Sequence, residues 1–284
     1  MNPMDSVVAA IERLDGLDGP ASALAGLVGK AVQPRAVRNL LSGTVLGHPL
    51  HPLLTDIPIG AWTMASVLDA VGGREMEPAA DLLVTVGIAA AVPTAAAGLN
   101  DWSDTAGKPR RVGLVHAAVN TVALGLYACS SAARFRGNRG AGTALGLAGL
   151  GVLTFGGFLG GHLSFANAVN VNRTADRTGP SKWTPVLDDA ELPEGGSRKV
   201  EAGKVTVLLY RTGGAILAID SVCSHAGGPL EKGTIDDGCV VCPWHGSTFR
   251  LADGDVVRGP ATRPQPAYET RVNEGRIEVR RRTA

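Results

Sequence analysis

The sequence predicts a multi-domain protein in which an N-terminal all-α, four-helix transmembrane bundle precedes a C-terminal all-β domain. A chain of 284 residues is long enough for two domains of ordinary size. Residues 57–172 are mainly Ala, Val, Leu and Gly with few charges, whereas charged residues return at the density of a soluble domain from Arg173 onward. Short apolar runs separated by Gly and Asn follow, and this pattern is typical of strands.

Four segments are predicted to cross the membrane. A helix needs about 20 mostly apolar residues to span the hydrocarbon core of a bilayer. Segments 82–99, 112–133 and 140–172 contain no Asp, Glu, Lys or Arg. Segment 57–73 contains Asp69, so we expect it to span only if this carboxyl group has a partner or lies near an interface. Glycines four residues apart in the last segment, such as Gly142 and Gly146, favour close helix packing and therefore a compact bundle.

The predicted domains are an N-terminal helical arm at 1–47, the four-helix transmembrane domain at 48–172, a linker at 173–182 and the all-β domain at 183–284. Within the last domain, residues 205–210 and 215–219 are expected to form one hairpin, and residues 268–272 and 276–280 another. Gly179 and Pro180 are typical of a linker.

The distribution of basic residues predicts the orientation. Four spans place the arm, the loop after the second span and the all-β domain on one side. That side carries more Lys and Arg near the span ends, so we expect a multi-pass protein of the cell membrane with its all-β domain in the cytoplasm. The residues compared are Lys30, Arg35, Arg38, Lys108, Arg110, Arg111, Arg173, Arg177 and Lys182 on this side, and Arg74, Arg134, Arg136 and Arg139 on the other.

The net charge and the distribution of basic residues indicate which classes of partner to expect. The formal net charge is +1, and the basic residues are dispersed rather than gathered on one face. Binding to nucleic acid requires a concentrated basic surface, so we expect no nucleic-acid partner. Membrane lipid is the partner that the apolar segments predict.

Two short runs place a cysteine and a histidine on each of two loops. Cys223 and His225 form the first pair, Cys242 and His245 the second, and 16 residues separate the pairs. Four such ligands can hold a metal centre. A zinc site of the Cys2His2 kind is the alternative, but it usually opens with two cysteines two to four residues apart. Cys239 would be a fifth ligand, so we interpret it as a buried thiol in a strand.

The runs Cys-Ser-His-Ala-Gly-Gly-Pro-Leu at 223–230 and Cys-Pro-Trp-His-Gly-Ser at 242–247, with Gly-Pro-Ala at 259–261, resemble the Rieske ferredoxin family. In that family two cysteines bind one iron of a 2Fe-2S cluster and two histidines bind the other, which raises the reduction potential relative to all-cysteine clusters. The resemblance implies that Cys223 and Cys242 hold the inner iron and that His225 and His245 hold the outer iron. It also implies that Ser247 donates a hydrogen bond to a bridging sulfide and that Pro260 belongs to a third loop covering the cluster.

The chain departs from the high-potential respiratory branch of this family at three positions. Gly228 and Trp244 stand where that branch has a disulfide-forming cysteine pair, and the missing bridge suits a reducing compartment. Phe249 stands where that branch has a tyrosine that donates a hydrogen bond towards sulfur. We therefore expect a potential below that of the respiratory proteins, which a redox titration tests.

The remaining histidines, His48, His51, His116 and His162, are all predicted near the side of the membrane that carries the all-β domain. Three interpretations stay open. The side chains could cap helix ends and bond one another at the interface, ligate haem or another metal, or form a quinone site. The segment Gly-His-Pro-Leu-His-Pro-Leu-Leu at 47–54, with Asp-Ile-Pro-Ile-Gly at 56–60, also resembles an uncharacterised bacterial family of four-helix membrane proteins, which supports the topology but implies no activity.

The favoured function is one-electron transfer by a membrane-bound Rieske protein, to or from a redox site in its own bundle or an unknown donor, acceptor or quinone. The sequence does not decide between a carrier and an oxidoreductase subunit. One alternative is a Rieske-type oxygenase, which would need a further mononuclear iron held by two histidines and a carboxylate. A membrane-anchored redox sensor is the other, and it would carry no cofactor in its bundle.

Overall fold

The computed structural model describes residues 3–282 and divides the chain into two units. The helical unit comprises Met1–Gln33 and Leu50–Val169, and the β unit comprises Pro34–Pro49 and Asn170–Ala284. The arm predicted at 1–47 is therefore divided between the two units. The β unit also takes in the predicted linker at 173–182.

Seven α-helices form within residues 3–282, and all but the third belong to the helical unit. In chain order they are α1 (Pro3–Glu12), α2 (Asp18–Ala31), α3 (Arg35–Ser42), α4 (Leu50–Val71), α5 (Glu77–Ser103), α6 (Gly107–Phe135) and α7 (Arg139–Phe165). Helix α7 begins where the Asn138 side chain accepts a hydrogen bond from the Ala141 N–H, at 3.2 Å. It ends before the predicted limit at 172, because Ala168 and Asn170 have φ values of 52° and 59° that a right-handed helix does not allow.

By length and composition, three helical segments of the described residues could cross a membrane: Arg74–Ser103, Gly107–Phe135 and Arg139–Phe165. The order of helices and strands confirms the predicted helical N-terminal region and all-β C-terminal domain. Helix α4 is not among the three segments, so the count of four membrane helices stays a prediction.

A stacked aromatic pair forms the centre of the helical unit. The rings of Trp62 in α4 and Tyr127 in α6 lie parallel, with centroids 4.1 Å apart. Both residues are buried. Glycines make room for the pair, because a Cβ at Gly87 would lie 2.2 Å from the Trp62 Nε1 atom and one at Gly149 would lie 2.9 Å from the Tyr127 ring. Part of the glycine content of α5 and α7 is thereby explained by helix packing.

Asp69 has partners, which is one of the two conditions under which its segment is predicted to span the membrane. Its carboxylate bonds the guanidinium groups of Arg134 and Arg139, and Arg134 also contacts Asp81 at 3.0 Å. The Asp69 and Arg134 side chains are only 4% and 3% exposed. A buried carboxylate is tolerated because two cations and several hydrogen bonds compensate for the water that it loses.

In its described part, the β unit contains three antiparallel sheets, with the strand orders β1-β10-β9, β2-β3-β4 and β5-β6-β7-β8. The strands are β1 (Thr184–Asp188), β2 (Ser197–Ala202), β3 (Val205–Thr212), β4 (Ala215–Asp220), β5 (Thr234–Asp236), β6 (Cys239–Val241), β7 (Thr248–Arg250), β8 (Val256–Arg258), β9 (Tyr268–Asn273) and β10 (Arg276–Arg281). Both predicted hairpins are confirmed, as β3–β4 and β9–β10. One of the two apolar cores of this unit includes Cys223 and Cys242.

A buried carboxylate joins the predicted linker to the β sheets. Arg177 donates from Nε to Asp220 at 2.8 Å, and the Tyr268 hydroxyl donates to the same carboxylate at 3.2 Å. Asp220 is fully buried, and burial raises its pKa despite these opposing hydrogen bonds. Through the bond from Arg177 to Asp220, the segment 173–182 packs against the β sheets.

We expect Arg134→Met to destabilise the helical unit by about 3–5 kcal/mol, because the substitution leaves the Asp69 carboxylate buried with only part of its compensation. Thermal unfolding of the purified protein in detergent measures this change. Arg136→Met is the matched control, since Arg136 is an exposed arginine two residues away, and surface substitutions usually change stability by about 0.5 kcal/mol or less. Equal melting temperatures for the two variants would contradict the role assigned to Arg134.

Candidate functional site

The two loops that carry the predicted ligands have the same backbone turn. In the first loop, the Cys223 N–H donates to the Gly228 carbonyl at 2.8 Å, and the Gly227 N–H donates to the Cys223 carbonyl at 2.9 Å. In the second loop, the corresponding bonds join Cys242 to Ser247 at 2.8 Å and Gly246 to Cys242 at 3.0 Å.

Each turn depends on a glycine four residues after the cysteine. Gly227 and Gly246 have φ values of 82° and 73°, in the left-handed region that favours glycine. Neither glycine was among the predicted site residues. Their equal spacing from the two cysteines was the signal that could have found them.

The two turns bring like donors together. The thiols of Cys223 and Cys242 lie within hydrogen-bonding distance of each other. The imidazole rings of His225 and His245 have centroids 5.1 Å apart and are perpendicular. The site therefore presents a pair of sulfurs and a pair of imidazoles. This donor set fits a 2Fe-2S cluster that has two thiolates on one iron and two imidazoles on the other.

Two residues beside the ligands show how the loops approach each other. A Cβ at Gly228 would lie 2.8 Å from the Cys242 sulfur and 3.1 Å from the Trp244 ring, so glycine allows the loops to pack closely. Trp244 itself is 57% exposed. No disulfide links the loops in the described residues, where all four cysteines are free thiols.

The third loop is fastened to the ligand loops through Ser247. Its fully buried hydroxyl accepts a hydrogen bond from the Ala261 N–H at 3.0 Å, directly after Pro260. A hydroxyl that accepts through oxygen keeps its own proton for donation, which suits the predicted bond from Ser247 to a sulfide. The neighbouring Gly259–Pro260 peptide is cis.

Further contacts hold the base of the first loop. Ser224 donates from its hydroxyl to the Arg263 carbonyl at 2.8 Å, and Gln265 donates from Nε2 to the Val222 carbonyl at 3.0 Å. Sequence reasoning missed both residues, because a serine and a glutamine 41 positions apart give no local signal of their roles.

Burial and hydrogen bonding shift the acidities of the ligands. The hydrogen bond between the two thiols lowers the pKa of Cys242 and raises that of the more deeply buried Cys223. Burial is the main cause that lowers the pKa of His225 to about 3, and the charges of His245, Arg38 and Arg173 lower it further. His225 is therefore neutral near pH 7, which is the form that binds metal.

Phe249 and Cys239 both lie beside the second ligand loop. Phe249 is fully buried in the core that contains Cys223 and Cys242, so its ring contributes packing and offers no hydrogen bond. The expectation of a comparatively low potential stays a prediction. Cys239 lies in strand β6 as expected, but it is only partly buried.

The four other histidines are distributed over both units. His51 and His116 lie together in the helical unit, with ring centroids 6.4 Å apart. His162 instead faces α1, with its Nε2 atom 3.8 Å from a carboxylate oxygen of Glu12. His48 belongs to the β unit and is exposed.

Backbone carbonyls and glycines position the central pair. His51 bonds the Thr94 carbonyl through Nδ1 at 2.9 Å, and His116 bonds the Gly156 carbonyl through Nδ1 at 2.9 Å. A Cβ at Gly98 would lie 2.7 Å from the His51 ring, and one at Gly160 would lie 3.1 Å from the His116 ring. The glycine faces of α5 and α7 thus admit these imidazoles between the helices. No group of three or more His, Cys, Asp or Glu side chains placed to hold one metal ion occurs within residues 3–282.

Comparisons with known families agree with this architecture. Residues 182–269 match the Rieske [2Fe-2S] domain, and residues 47–173 match the predicted membrane protein family DUF2231. The chain belongs to the Rieske [2Fe-2S] family through its C-terminal domain, which is joined to a DUF2231 domain. A Rieske domain implies a 2Fe-2S cluster.

Individual relatives resemble the Rieske part. The chain is 31% identical over 98 residues to ferredoxin CarAc of Metapseudomonas resinovorans, covering 34% of this chain and 92% of the ferredoxin. It is 33% identical over 90 residues to apoptosis-inducing factor 3 of Mus musculus, covering 32% of this chain but only 15% of that relative. The solved ferredoxin of carbazole 1,9a-dioxygenase from Nocardioides aromaticivorans IC177 is 26% identical, with a TM-score of 0.34 and coverage of 36% of this chain and 100% of the ferredoxin.

We expect Cys242→Ser to lose most of the cluster iron and acid-labile sulfide, because a serine hydroxyl is a poor replacement for a soft thiolate. Iron and sulfide analysis of the purified protein measures the loss. Cys239→Ser is the control, since Cys239 lies only three residues away in the sequence but outside the donor pairs. Equal loss from both variants, or retention by both, would show that Cys242 is not a specific ligand.

Proposed function

We propose that the protein is a membrane-bound one-electron carrier whose 2Fe-2S cluster is held by Cys223 and Cys242 on one iron and by His225 and His245 on the other. The observation that carries the proposal is the pairing of the donors, sulfur with sulfur and imidazole with imidazole. A relative named as a ferredoxin, matched over 92% of its length, supports the carrier role.

When bound, the cluster supplies a site that accepts and releases one electron. The chain supplies the environment of that site. The matched turns fix the spacing of the ligands, and burial keeps His225 neutral. Ser247 is placed to donate towards a sulfide while it holds the third loop through the Ala261 N–H. Such hydrogen bonds stabilise the reduced cluster.

The proposal also covers the membrane location of the protein and its redox partners. Three helical segments long and apolar enough to span a bilayer, together with the DUF2231 match, support a multi-pass membrane protein in contact with lipid. The excess of Lys and Arg on one side supports a cytoplasmic Rieske domain. Its electron donor and acceptor are redox proteins or a quinone.

Membrane vesicles of both orientations test the function and the sidedness together. Dithionite, a reductant that crosses membranes slowly, should reduce the cluster in inverted vesicles and produce a Rieske electron paramagnetic resonance signal of one spin per chain. Right-side-out vesicles should give this signal only after detergent is added. The reverse pattern would contradict the orientation, and the lack of any Rieske signal after detergent would contradict the function.

We further propose that His51 and His116 form a second redox site in the bundle, binding haem or another metal. Support comes from the short distance between the rings and from the use of Nδ1 by each histidine to bond a carbonyl. Metal-ligating histidines commonly bond a carbonyl through one ring nitrogen and bind metal through the other. Asn120, one helical turn beyond His116, donates to the His116 carbonyl at 2.8 Å and adds polarity beside the pair.

We expect purified parent protein to show a Soret band, or a second metal in addition to the cluster iron, and His51→Ala and His116→Ala each to lose it while keeping the Rieske absorption. Absorption spectra and metal analysis measure both. The control is His48→Ala, because His48 is exposed and belongs to the other unit. Parent protein with neither haem nor a second metal would overturn this second proposal, and a quinone extracted from it would indicate a quinone site instead.

A further inference from the structure

A segment that precedes the transmembrane domain in the chain belongs to the β unit. Pro34–Pro49, which we call the cover segment, contains α3 and a short 3-10 turn at Thr44–Leu46. Gly43 ends α3 with a left-handed φ of 77° and redirects the chain into this turn. The Rieske match begins only at residue 182, so the cover segment is an addition to the Rieske domain itself.

The cover segment binds the backbone of the third cluster loop on both sides of Pro260. Asn39 accepts a hydrogen bond from the Gly259 N–H at 2.8 Å and donates one to the Val257 carbonyl at 3.3 Å. Thr44 donates from its hydroxyl to the Ala261 carbonyl at 3.0 Å. Two side chains of the segment thus fix the loop that also bonds Ser247.

Close packing accompanies these hydrogen bonds. A Cβ at Gly259 would lie 2.7 Å from the Thr44 hydroxyl oxygen and 3.3 Å from the Ser42 hydroxyl oxygen. Ser42 is 2% exposed. Beyond this contact, Arg263 donates from Nη1 to the Gly47 carbonyl at 3.4 Å. The segment and the third loop therefore meet in a fitted interface inside one structural unit.

The cover segment also brings a buried positive charge to the cluster site. Arg38, in α3, is 3% exposed. It directly precedes Asn39, whose side chain accepts the hydrogen bond from the Gly259 N–H, so the turn of α3 that carries this cation lies against the third loop. Reduction adds a negative charge to the cluster, and a nearby cation stabilises that charge more strongly inside a protein than in water.

We propose that the cover segment is a working part of the iron–sulfur site, in which Asn39 and Thr44 position the third loop and Arg38 raises the reduction potential of the cluster. This inference rests on the proposed function, since it requires a cluster between the ligand loops. It extends that function by assigning roles to residues that lie at least 179 positions before Cys223. Asn39 and Thr44 are positioning residues, because they act through the third loop. Arg38 acts on the cluster through its electric field.

A redox titration of the purified full-length protein, monitored by electron paramagnetic resonance, tests the effect of the Arg38 charge. We expect Arg38→Gln to make reduction about tenfold less favourable, which corresponds to a potential about 59 mV lower for one electron. Arg38→Lys retains the charge and should stay close to the parent potential. Arg35→Gln is the matched control, because Arg35 is an exposed arginine on the same helix.

The positioning role is tested by Asn39→Ala, which removes two hydrogen bonds to the third loop without changing the charge. This variant should release iron to a chelator several times faster than the parent, with little change in potential. It also keeps the inference testable if Arg38→Gln fails to assemble a cluster.

The outcomes distinguish this inference from the proposed function. Parent protein without a 2Fe-2S cluster would overturn both. A parent that holds the cluster, with Arg38→Gln at the parent potential or Asn39→Ala releasing iron at the parent rate, would overturn the assigned role of that residue and leave the proposed function standing.

Discussion

The pairing of two equivalent turns is the constraint on which the proposed cluster site of the β unit depends. Each turn closes through a bond from the cysteine N–H to the carbonyl five residues later, and each needs a left-handed glycine at the fourth position. Because the backbones match, the two cysteines face each other and so do the two histidines. A cluster of two irons requires this pairing of donors, whereas a single tetrahedral metal ion would require all four to converge on one point. The surrounding sheets keep the turns in place.

Features encoded within short stretches of the sequence could be predicted, and these include most residues of the candidate cluster site. Two cysteine–histidine pairs lie within short runs, and two hairpins are marked by glycine between apolar strands. Contacts between distant segments could not be predicted in this way. Asn39 and Val257 are 218 positions apart, and nothing around Asn39 indicates that its amide meets a loop backbone. From the sequence, residues 34–47 of the cover segment are therefore predicted only as part of the N-terminal helical arm at 1–47.

The helical unit shows the same division between local and distant signals. Apolar length predicted four segments that span a membrane, and within residues 3–282 three helical segments are long and apolar enough to do so. Glycine spacing predicted close packing. Which side chain each glycine admits depends on the neighbouring helix, and the structure assigns Gly87 to Trp62 and Gly98 to His51. The sequence identified Asp69 as a carboxyl group that needed a partner. It could not name Arg134, because the pairing joins helices whose relative rotation no single segment determines.

Three arginines show how one residue type serves different purposes in this chain. Arg134 bonds Asp69, and Arg177 bonds Asp220, so in both pairs an opposite charge lies within hydrogen-bonding distance. Each pair offsets part of the cost of removing charged groups from water, and it does so in every redox state. Arg38 differs because it lies in the segment that bonds the third loop, beside a site whose charge would change on reduction of the proposed cluster. A fixed cation beside such a site would favour the reduced state through its attraction for the added negative charge. The burial of Arg38 strengthens that bias, since screening by water and salt is weaker in a protein interior than at its surface.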